Sequence, residues 1–102
     1  YFYELNNTVI NVLKNNCNKL CKKDEFKILH QDSSYIKEFN INFPLSAIFI
    51  DPPYNYLLYN SILEKIMKSD IMNEDTIIII ETDKKNKFQF LEDLCLRSYL
   101  IN

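Results

Sequence analysis

Asp51-Pro52-Pro53-Tyr54 sets a carboxylate, two prolines and an aromatic ring directly behind an apolar run, Leu45-Ser46-Ala47-Ile48-Phe49-Ile50. The run reads as a buried strand of a parallel sheet. Neither proline has a backbone N–H, and each fixes its own φ and restricts the residue before it. The pattern therefore predicts a stiff, exposed loop at the carboxyl end of a strand. Open α/β sheets bind their ligands at that edge. The loop offers an acceptor carboxylate, free carbonyls and a flat face. This set suits a planar, amine-bearing ring better than a phosphate or a sugar. Three further carboxylates, Glu4, Asp32 and Glu81, also stand at or just past predicted strand ends. Any one of them alone reads first as a helix cap or turn former. Their recurrence after successive strands points instead to a shared site at one edge.

The elements that must position these groups follow from the hydrophobic spacing. Tyr1 to Glu4 reads as the tail of a strand, and Asn6, Asn7 and Thr8 are N-cap candidates. Val9, Leu13, Cys17 and Leu20, flanked by Ile10 and Cys21, recur at helical spacing. Phe26 to Leu29 predicts a short strand ending near Asp32. Ser33 and Ser34 can cap a short helix carrying Tyr35, Ile36 and Phe39. Beyond the proline loop, Leu58, Ile62 and Ile66, with Leu57 and Met67, predict an amphipathic helix to about Ser69. Thr76 to Ile80 is a continuous β-branched run, the mark of a central strand covered on both faces. Phe88, Leu91 and Leu94 or Cys95 fit one more helix, and Tyr99-Leu100-Ile101 begins a further element. Strands alternating with helices predict a parallel sheet with right-handed crossovers.

At 102 residues the chain holds one domain with a modest core. Glycine is absent from all 102 residues, which excludes any Gly-rich phosphate or nucleotide loop within them. A net charge of -2 gives no whole-chain electrostatic footprint for nucleic acid. Three cysteines, an odd number, and no signal peptide point to a reducing compartment. Cys17 and Cys21 share a predicted helical face, but with only Cys95 and His30 to add, buried or partly exposed thiols fit better than zinc. No apolar run approaches the roughly twenty residues of a membrane helix.

The order of Glu4, Asp32, Phe49-Ile50-Asp51-Pro52-Pro53-Tyr54 and Ile77-Ile78-Ile79-Ile80-Glu81 resembles the class I methyltransferases that use S-adenosylmethionine. Within that class it looks most like the guanine-N2 methyltransferases of bacterial small-subunit ribosomal RNA. Val12-Leu13-Lys14-Asn15-Asn16, the spacing around Asp32 and Leu96-Arg97-Ser98-Tyr99 fit the same family, and the resemblance covers essentially the whole chain. It implies a partial Rossmann-like fold: an α/β three-layer sandwich whose mostly parallel sheet lacks the first strand, with residues 1–102 forming a single partial catalytic domain. It also implies a role for each acid. Glu4 would accept hydrogen bonds from the cofactor ribose hydroxyls, and Asp32 would read the cofactor adenine. Asp51, Pro52, Pro53 and Tyr54 would form the catalytic loop, with Asp51 also beside the cofactor.

One departure from the family is large. Its methionine-binding turn follows the first strand and needs glycine for tight geometry and close ligand approach. In the family that strand lies between the one ending at Glu4 and the one ending at Asp51. Without it those two strands lose their shared neighbour. The expectation is thus a fragment or remnant, inactive in isolation, of an enzyme that methylates N2 of a guanine in 16S ribosomal RNA. Its partners would be ribosomal RNA or the small ribosomal subunit, with no membrane and no metal. The resemblance further implies a monomer in the cytoplasm, or in an organelle if the source is eukaryotic. Two other readings of the loop stand beside this one. A DNA adenine-N6 methyltransferase remnant would carry the same motif. In a non-catalytic α/β interaction module, Asp-Pro-Pro-Tyr would be only a rigid turn.

Overall fold

The computed structural model describes residues 1–33, 39–53 and 59–82. The elements run β1 (Phe2–Glu4), α1 (Asn7–Leu20), β2 (Ile28–His30), β3 (Ala47–Ile50), α2 (Tyr59–Met67) and β4 (Ile77–Ile80). The chain is α/β, and the described strands pair in parallel, as a partial Rossmann-like fold requires. They form two ribbons of two strands each. β1 lies beside β2 with Glu4 opposite His30, and β3 beside β4 with Ile50 opposite Ile80. This grouping matches the expected loss of a shared neighbour between the Glu4 strand and the Asp51 strand.

A bare two-stranded ribbon is marginal in water and needs a packed layer. Each ribbon has a helix. α1 contacts β1 and β2 and buries Ile10 and Cys17. Its cap is Asn6, whose Oδ1 accepts from Thr8 N at 2.9 Å and Val9 N at 3.3 Å. The expected apolar face is rotated: Val9 and Leu20 are exposed, and Cys21 leaves the helix as its C-cap, exposed where Cys17 is buried. α2 buries Tyr59, Ile62, Leu63 and Ile66. These join Ile41, Ile50 and Ile71 in the core, with Ile48, Ile78 and Ile80 packed against them.

The strand before this core begins later than the spacing predicts. Leu45 stands outside β3, yet its N–H donates to Ile71 O at 2.8 Å, and its carbonyl accepts from Thr76 Oγ1 at 2.7 Å. The reading of β4 as covered on both faces needs correction. Ile78 and Ile80 face the core, but Ile77 is 62% exposed and Ile79 47%. Phe49, opposite Ile79, is 62% exposed as well. A β-branched run calls for two covering layers, and one face of this ribbon has none among the described residues. The helices expected from Ser33–Ser34 and around Phe88, and the element expected at Tyr99, lie outside the described residues. Phe39, expected in the first of these, is irregular; its ring meets Tyr3 edge to face at 5.7 Å.

Candidate active site

Four carboxylates stand at or just past strand ends, two on each ribbon. On the first ribbon Glu4 closes β1, and its neighbour across the ladder is His30, the last residue of β2. Gln31 N donates to Glu4 O at 3.2 Å, so pairing runs one residue past His30, and Asp32 follows directly. On the second ribbon Glu81 N donates to Ile50 O at 2.9 Å. That bond carries the β3–β4 ladder to its end and sets Asp51 and Glu81 side by side where the strands stop.

Asp51 is exposed, and among the described residues it makes no hydrogen bond or ion pair. Pro52 is half-buried and Pro53 exposed. The carboxylate is thus exposed, and no described residue consumes it in a structural bond. Tyr54 lies outside the described residues. Just beyond it, the Tyr59 hydroxyl at the start of α2 donates to Glu81 O at 3.1 Å. This bond ties the helix that follows the proline loop to the end of β4. Sequence reasoning missed it, because Tyr59 reads only as one more apolar position.

Glu4 is half-buried and partly engaged. Its Oε1 accepts from Leu5 N at 2.8 Å and Asn6 N at 2.7 Å. No described residue bonds its Oε2. The bland reading of Glu4 as a turn former therefore holds for one oxygen and leaves the second as an acceptor. Asp32 is half-buried. His30 Nε2 lies 2.8 Å from Leu5 O, on the same turn that Glu4 caps. That contact was not legible in the sequence, since its partner is a backbone carbonyl 25 residues away.

Parallel strands joined by helices, with acids at their carboxyl ends, define a partial Rossmann-like α/β fold. The comparisons agree. The family model described as Conserved hypothetical protein 95 matches residues 1–96, and the chain belongs to that family. It is 27% identical over 85 residues to the ribosomal RNA small subunit methyltransferase D of Haemophilus influenzae. That match takes in 81% of this chain and 44% of the relative, so the chain spans less than half of the relative's length. The crystal structure of HI0767, a protein of H. influenzae assigned as a methylase, superposes with a TM-score of 0.74 at 26% identity. It covers 90% of this chain, which in turn covers 58% of that one.

Proposed function

We propose that these residues are the nucleoside-reading and amine-holding part of an S-adenosylmethionine-dependent methyltransferase acting on the exocyclic N2 of a guanine in 16S ribosomal RNA. The observation that carries the reading is Asp51: exposed, unbonded among the described residues, and placed where a parallel ribbon ends. Family membership and the similarity to the H. influenzae rRNA methyltransferase support it.

An exocyclic amine on a purine is a poor nucleophile, because its lone pair is delocalised into the ring. The Asp51 carboxylate and the Pro52 carbonyl would accept its two N–H groups. That grip favours a pyramidal nitrogen whose lone pair points at the methyl donor. The gain comes from positioning and electrostatic stabilisation, without a covalent intermediate. Tyr54 would stack on the flipped-out base. When bound, S-adenosylmethionine supplies the methyl group as a sulfonium electrophile. The donor set here fits the nucleoside half of that molecule: Glu4 keeps one carboxylate oxygen for ribose hydroxyls, and Asp32 follows β2 for the adenine amine. No residue in the chain supplies the glycine turn for the methionine half. The cofactor-reading acids precede the catalytic loop, which favours RNA over the DNA adenine enzymes whose motifs run in the opposite order. Work on the small ribosomal subunit would put the enzyme in the cytoplasm.

The test is a chimaera in which residues 1–96 replace the matching segment of the H. influenzae methyltransferase. We expect methylation of a guanine N2 in 16S rRNA. Asp51→Ala in the chimaera should lower kcat on the order of a hundredfold or more, with folding checked by circular dichroism. Undiminished transfer by Asp51→Ala would leave the loop as a rigid turn only.

A further inference from the structure

We propose that His30 is a positioning residue that aims the Glu4 carboxylate, so that Oε1 is saturated by backbone and Oε2 is held toward the ligand. The inference rests on Glu4 as the acceptor for ligand hydroxyls. The turn joining β1 to α1 has little packing to hold it: Leu5 is 58% exposed, and Asn6 is exposed too. Its shape therefore depends on hydrogen bonds. The peptide unit between Leu5 and Asn6 is gripped at both ends. Its carbonyl oxygen lies 2.8 Å from His30 Nε2, and its N–H donates to Glu4 Oε1 at 2.7 Å. In a trans peptide the C=O and N–H point to opposite sides of one rigid plane. Fixing the carbonyl thus fixes the direction of the N–H, and that N–H fixes the carboxylate.

A carbonyl only accepts, so His30 must carry its proton on Nε2 in this contact. Glu4 and His30 are ladder partners on adjacent parallel strands, so the fork that reaches around the turn starts from a rigid base. Leu5 N adds a second donor to the same oxygen at 2.8 Å. With two donors on Oε1, a ligand hydroxyl has Oε2 as its acceptor. Without His30 the 5–6 peptide can rotate, and Glu4 can swing between its oxygens or turn away.

The experiment uses the 102-residue chain, NMR, and adenosine against 2′,3′-dideoxyadenosine as probes. In the wild type, adenosine should bind about tenfold more tightly than the dideoxy analogue, the size of one hydrogen bond to a charged group. His30→Ala should bring the two within about twofold and move the Asn6 amide proton upfield, as its bond to the carboxylate weakens. His30→Gln, whose side-chain amide can donate to Leu5 O, should restore both. A merely structural defect would weaken both nucleosides alike, and that result overturns the proposal. An Asn6 amide shift that ignores His30→Ala overturns it too. If the wild type itself does not discriminate between the nucleosides, Glu4 is not the hydroxyl acceptor, and the functional reading fails with it. The Asn6 amide then reports separately whether His30 holds the turn.

Discussion

Glu4 and Asp51 are the same kind of group at the same kind of place, a carboxylate where a parallel strand stops, yet their surroundings differ. Two backbone N–H groups take one oxygen of Glu4, while Asp51 is exposed and bonded by no described residue. The first arrangement suits a fixed acceptor and the second a grip that closes on an incoming amine. Tyr3, one residue before Glu4, gives this strand a measurable pH signature. Its phenol is held above the ordinary value of 10.0, first by burial and then by the neighbouring Tyr1. The folded chain therefore keeps the Tyr3 proton at a pH where the unfolded chain has released it. Stability from this group is complete below about pH 10 and falls as the pH climbs through the raised value. Tyr3→Phe should flatten the loss of urea-unfolding midpoint between about pH 9 and about pH 11. An equal loss in the variant would show that Tyr3 does not report on the fold. The placement of Asp51 and Glu4 where strands stop was legible in the sequence, because it depends on neighbours along the chain. His30 and Tyr59 were not, because each acts on a carbonyl more than twenty residues away.

Helices and strands differ in how well their patterns survive folding. The order of elements was readable throughout the described residues, since periodicity depends only on local geometry. Coverage was not. The β-branched run of β4 calls for two layers, and among the described residues only the Ile78–Ile80 face has one, built from α2. The opposite face holds Phe49, Ile77 and Ile79 in contact with water. The rotated face of α1 has the same origin: Val9 and Leu20 fit the helical repeat, but their partners do not lie among the described residues. Two substitutions measure this asymmetry. Ile66 is 2% exposed within the core, so Ile66→Ala should cost about 2–5 kcal/mol in urea unfolding. Phe49 is the larger side chain, yet at 62% exposure Phe49→Ala should cost less than about 1 kcal/mol. If the two costs were equal, a layer would have to lie over Phe49, and the ribbon would be covered on both faces after all.

For the molecule as a whole, the proposed function would divide its site between the two ribbons. One holds the acids assigned to a nucleoside, and the other holds the loop assigned to the amine. The chain spans 58% of the solved methylase and 44% of the curated rRNA methyltransferase, and its 102 residues contain no glycine. A methionine-binding turn of the family type is thus not among them, and ligand affinity should come from the nucleoside alone. The difference between millimolar and micromolar binding is about 4 kcal/mol, which is the share the methionine end would have to contribute. Isothermal titration of this chain should therefore give no micromolar heat with S-adenosylmethionine. Adenosine and S-adenosylmethionine should instead bind in the millimolar range, alike within about threefold. A clear preference for S-adenosylmethionine would mean that residues of this chain grip its amino-acid end without glycine. Micromolar binding would go further, because it would make the two ribbons a self-sufficient cofactor site.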